Sequence, residues 1–97
     1  MPWHDVLIGG DMQIRLHRNF EKQYRRLQHG EQKRLKERFA LFLRDEFHPL
    51  LNNHPLHGRY HGYRSINVGG DIRAIYRKIS SAAAYFAAIG THGTLYS

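Results

Sequence analysis

Ninety-seven residues, 41% of them hydrophobic, leave room for one domain around one modest core. Fifteen Lys and Arg against eight Asp and Glu give a net charge of +7, which points to nucleic acid or an acidic partner. Cysteine is absent, which excludes disulfides and thiolate metal sites; no apolar run approaches the ~20 residues of a membrane span, and residues 1–10 lack the basic start and long apolar stretch of a signal peptide, so a cytoplasmic protein without a membrane partner is expected.

Residues 1–11 close with Gly9-Gly10-Asp11 ahead of a second Met and read as an extension, its order left open, before a domain at 12–97. Residues 13–17 alternate as Gln-Ile-Arg-Leu-His, which predicts a short strand with Ile14 and Leu16 on one face. Asn19 is the expected N-cap of a helix over 20–29, with Gly30 as its stop. A second helix is predicted over 31–45, where Leu35, Phe39, Phe42 and Leu43 recur at helical spacing, so the two form a helical hairpin. Residues 47–61 read as a loop, because Pro49 and Pro55 disfavour helix while Asn52-Asn53 and Gly58 supply turn chemistry. Strands follow at 63–68, 72–79 and 82–89, separated by Gly69-Gly70 and Ser80-Ser81. The resulting β-α-α-β-β-β order predicts a small α+β fold, with the hairpin on one sheet face and the other face open to a ligand.

Charge is unevenly distributed along this order. Residues 1–46 carry ten bases and seven acids, whereas residues 47–97 carry five bases and one acid, Asp71. That carboxylate stands among His54, His57, His61, Arg73, Arg77 and His92, a composition suited to an anionic ligand and to proton transfer. Arg73 and Arg77 alternate along one predicted strand and share a face, which makes them phosphate-binding candidates. His48, His54, His57 and His61 match no zinc spacing, so neither metal nor another cofactor is expected. Gly69-Gly70 reads as a turn, since no helix N-terminus follows to present amides to a phosphate.

The segments His54-Pro55-Leu56-His57-Gly58, Gly62-Tyr63-Arg64, Asp71, Ile75-Tyr76, Gly90-Thr91-His92 and Leu95-Tyr96 together resemble the YafQ-like branch of the RelE/ParE toxin superfamily, over roughly residues 12–96. The resemblance implies a RelE-like microbial RNase fold, the helical hairpin lying against a mainly antiparallel sheet. It also implies a type II toxin that cleaves messenger RNA in the ribosomal A site without a metal, with a cognate antitoxin, the message and the ribosome as partners. His54 and His92 then take the general acid and base roles, in an order left open, for attack of a 2′-OH on its own phosphate. Asp71 orients a histidine or activates that hydroxyl. Tyr96 falls at the family's C-terminal aromatic; Arg64 of the Gly-Tyr-Arg segment and Asn67 join Arg73 and Arg77 as candidate substrate contacts. Three positions depart from the pattern: Asn67 stands for a histidine, Ile72 for a tryptophan and Ala88 for an arginine. Two further readings remain beside the nuclease. One is a non-catalytic toxin of the same fold, either a gyrase inhibitor or a degenerate chain that binds only antitoxin; the other is a general basic RNA-binding module. Only the nuclease needs His54, Asp71 and His92 within reach of one phosphate.

Overall fold

The computed structural model describes residues 6–9 and 12–96 of the chain. Strand β1 (Val6–Gly9) pairs antiparallel with β2 (Met12–Leu16), so part of the segment read as an extension continues the sheet. Helices α1 (Arg18–Arg25) and α2 (His29–Arg44) follow, then β3 (His54–Pro55), β4 (Arg64–Gly69), β5 (Ile72–Ser80), β6 (Ala83–Thr91) and a one-turn helix α3 (His92–Tyr96). The six strands form one sheet in the order β1-β2-β6-β5-β4-β3. All neighbours are antiparallel except β2 and β6. No helix among the described residues is long and apolar enough to cross a membrane.

The helix boundaries differ from the expected ones for a local reason. His17, not Asn19, caps α1: its Nδ1 accepts the Asn19 N–H at 2.9 Å. Gly30 lies in the first turn of α2 rather than ending α1, because the Glu31 carboxylate reaches back to accept the Gln28 N–H at 2.9 Å and starts the second helix there. The loop read over 47–61 also contains β3, where Pro55 is tolerated because the strand lies at the sheet edge.

Alternation on each strand sends Ile14, Leu16, Ile66, Val68, Tyr76 and Phe86 toward the helices, where they meet Phe20, Leu35, Phe39 and Phe42. Phe86 is the hub of this core. Its ring lies 4.7 Å from Phe39, 4.9 Å from Tyr76, 5.3 Å from Phe42 and 5.9 Å from Phe20.

The opposite face is not open throughout, contrary to the sequence expectation. Ile75, Ala88 and Leu95 form a second small core there, packed by Leu56, Tyr60 and Tyr63. The chain reverses after β6 and lays α3 over the middle of the sheet.

Candidate functional site

One end of this second face gathers most of the chemistry. The β4–β5 turn uses positive φ at Gly69 (132°) and Gly70 (55°), and the Asn67 Oδ1 accepts the Gly69 N–H at 2.9 Å. A side chain at Gly69 would collide with Arg34. Asp71 is exposed on that turn. Since Ile72 pairs with Thr91, Asp71 and His92 occupy the next positions on neighbouring strands, although no hydrogen bond joins their side chains.

Helix α3 is seated by several contacts. The Thr91 hydroxyl accepts the Thr94 N–H at 3.2 Å, and the Thr94 hydroxyl donates to the Thr91 carbonyl at 3.0 Å. From the other side Arg59 donates to the Leu95 carbonyl at 2.6 Å. This places the His92 ring 4.7 Å from that of Tyr96, which in turn meets Tyr60 edge-on at 5.5 Å. Burial pushes the Tyr96 hydroxyl above the usual tyrosine range; Tyr60 adds to the shift and the Arg73 guanidinium opposes it. Tyr96 is thus a neutral hydrogen-bond donor at physiological pH, unsuited to act as a base.

Arg73 belongs to the same end. It pairs across the sheet with Asn67 on one side and Gly90 on the other. Its Nη1 donates to the Asn67 Oδ1 at 3.2 Å and to the Gly70 carbonyl at 3.1 Å. Ile72 is 7% exposed and faces the helical core, while Ala88, 8% exposed, lies in the second core. Neither replaces the stacking ring or the cation that the pattern puts there. The cation at this end comes instead from β5, through Arg73.

Three expected site residues lie elsewhere. His54 is exposed and shares this face, in the cross-strand row His54, Ser65, Ile75, Ala88. Strand spacing of about 4.8 Å and a rise of about 3.3 Å per residue put its Cα roughly 16 Å from that of Asp71, two strands away and four residues along. Its Nδ1 is 2.8 Å from the Asn52 carbonyl, which orients the ring. Arg77 shares the face but lies beyond Ile75, the side chain that α3 covers.

Arg64 points the other way. It pairs directly with Tyr76 and so faces the helices, donating from Nε to the Asn53 Oδ1 at 2.7 Å with its guanidinium over Phe47. Asn53 also donates to the Tyr76 hydroxyl (2.7 Å), which itself donates to Glu46 (2.7 Å). Burial above all, then the Glu46 hydrogen bond, push the Tyr76 hydroxyl well up, with Asn53 and Arg64 opposing. This network ties the segment that carries His54 to the sheet.

The seating residues Arg59, Tyr60, Thr91 and Thr94 were not expected. Thr91-x-x-Thr94 carries a local capping signal; Arg59 and Tyr60 carry none, since they act on a carbonyl more than 30 residues away. Gly90 is the tight point, because a Cβ there would meet the Thr94 Oγ1 at 2.8 Å. Gly90→Ala is expected to displace α3 with His92 and Tyr96, at a stability cost of about 1–3 kcal/mol measurable in a melting curve. A variant that melts like the wild type would show that Gly90 is not needed to seat α3.

A family model described as "Bacterial toxin of type II toxin-antitoxin system, YafQ" matches residues 12–97. The chain belongs to the YafQ family. The crystal structure of YafQ from E. coli strain BL21(DE3) is similar with a TM-score of 0.74 and 23% identity, over 89% of this chain and 99% of that one. YafQ in the E. coli DinJ-YafQ toxin-antitoxin complex gives 0.73 and 24%, over 90% and 99%. A YoeB/ParE toxin from Agrobacterium tumefaciens gives 0.68 and 19%, over 81% and 96%. A search of curated proteins returned no match. The structural likenesses establish the α+β fold, and the family match makes the chain a type II toxin of the YafQ kind.

Proposed function

We propose that this toxin is a metal-independent, ribosome-dependent mRNA endoribonuclease. The observation that carries the reading is the convergence of Asp71, His92, Tyr96, Arg73 and Asn67 at one end of a sheet face that is short of acids. The 2′-OH of the message loses its proton to a base and attacks the adjacent phosphate, while an acid protonates the departing 5′ oxygen. The products are a 2′,3′-cyclic phosphate and a free 5′-OH. His92 takes one proton role and His54 the other, which requires the His54 ring to come within hydrogen-bond reach of the same phosphate once the message is bound; Asp71 orients His92 or the hydroxyl. Arg73 carries the charge that builds on the phosphate, and Tyr96 offers a neutral donor or a stacking surface. The test adds purified toxin to programmed ribosomes and maps the 3′ ends of the message. Cyclic phosphate ends at A-site codons support the reading; intact message refutes it.

The roughly 16 Å between His54 and Asp71 on the strand lattice and the apolar Ile72 and Ala88 favour a second reading. In it the chain keeps the toxin fold and binds without cleaving, as a gyrase inhibitor or as an antitoxin-binding remnant. Stalled gyrase beside intact message would support that reading.

By analogy with the DinJ-YafQ complex, a cognate antitoxin is the expected protein partner. With the toxin at +7, the neutralising segment is expected to be acidic or to lie across the basic face. Raising salt should then slow association more than it speeds dissociation, as stopped-flow kinetics can measure. Association rates independent of salt would refute an electrostatic encounter.

A further inference from the structure

We propose that Arg15, Arg77 and Tyr85 form a second subsite for single-stranded RNA, gripping nucleotides away from the cleaved bond; this rests on the reading of the chain as an mRNA nuclease. Tyr85 on β6 pairs with Arg77 of β5 on one side and Arg15 of β2 on the other, so all three share the face that carries Arg73. The Arg77 guanidinium lies over the Tyr85 ring, 5.8 Å from its centroid, and the His17 ring meets it edge-on at 5.8 Å. Both arginines are exposed and the tyrosine is half-buried. The Lys78–Glu46 pair is the only ion pair among the described residues, so no described carboxylate neutralises either arginine.

The patch is separate from the proposed catalytic end. Arg77 is four residues from Arg73, about 13 Å along the strand, and the intervening Ile75 is covered by Leu95. An aromatic ring with one guanidinium over it and a second arginine paired to it across the sheet suits a nucleotide on both counts: bases stack on the ring or on a guanidinium plane, and phosphates take bidentate contacts from arginine. An acidic peptide would need only the charges and would leave the ring unused. RNA is therefore the better-matched occupant.

The test titrates a 2′-O-methyl oligoribonucleotide, which cannot be cleaved by 2′-OH attack, into the full chain at several salt concentrations and follows fluorescence anisotropy. Tyr85→Ala is expected to weaken binding by about five- to 150-fold, the range for losing one stacked base. Replacing both arginines (Arg15→Gln with Arg77→Gln) should lower the slope of log affinity against log salt by about 1.4, for two single-strand phosphate contacts. Tyr85→Phe, which keeps the ring, should retain binding. A wild-type chain that does not bind the oligonucleotide overturns the subsite, as do variants with unchanged affinity and slope. So does a double variant that loses antitoxin affinity while holding RNA normally. Cleavage is scored separately on programmed ribosomes, so patch-dependent RNA binding without cleavage would keep the subsite and remove the nuclease reading.

Discussion

His92→Ala is expected to lower cleavage of ribosome-bound message by about 10²- to 10⁴-fold, the usual worth of a positioned proton donor or acceptor. The fold should survive the change. His92 is exposed, and α3 is held by the Thr91–Thr94 hydrogen bonds and by Arg59 on the Leu95 carbonyl, none of which uses the imidazole. Antitoxin binding measured on the same variant should therefore match the wild type, which separates lost chemistry from lost structure. Unchanged cleavage would remove His92 from the mechanism. A comparable loss in His54→Ala is expected because the acid and the base serve the attacking and departing oxygens of one phosphate. If His54→Ala cleaved normally, both proton transfers would fall to the His92 end.

The largest stability effect is expected at Phe86. Its ring is fully buried and touches four aromatic neighbours from both helices and from β5. Truncation to alanine removes contacts on every side at once, and the surrounding backbone belongs to a central strand that cannot collapse inward. A loss of about 3–5 kcal/mol follows from core phenylalanine truncations, against a total stability of about 5–15 kcal/mol for a domain. For a chain of this length that lowers the melting midpoint by roughly 12–40 °C. Leu50→Ala is the control: at 58% exposure it should change stability by about 0.5 kcal/mol or less. A Phe86→Ala chain that melts within a few degrees of the wild type would place the centre of the core elsewhere.

Local pattern made much of the fold readable in advance. Ile14 and Leu16 alternate on β2, the Leu35/Phe39/Phe42 stripe runs along α2, and Ile66 and Val68 share one face of β4; all are buried as their periods require. Backbone geometry alone sets those periods, so no distant contact was needed to read them. The helix ends were less legible. His17 caps through its imidazole and Glu31 reaches back to Gln28, and both depend on side-chain direction rather than residue preference. Helix α3 was missed because a single turn has almost no intrinsic stability and forms here by packing Leu95 on Ile75 and Ala88.

The sequence by itself determined the residue types of the candidate site and the family motifs that carry them, with Asp71 as the one acid among the bases and imidazoles of residues 47–97. Only the tertiary structure decided which of those residues meet. Arg73 and Arg77 alternate on one strand and looked alike, yet α3 lies between them and leaves Arg73 with Asn67 and Tyr96 and Arg77 with Tyr85. Arg64, next in the chain to the Ser65 that pairs with His54, turns to the helices and binds Asn53 beside Tyr76. The physical reason is that a strand's own alternation fixes only relative sides. Which side faces the helices, and what covers the other, depends on pairings between segments tens of residues apart.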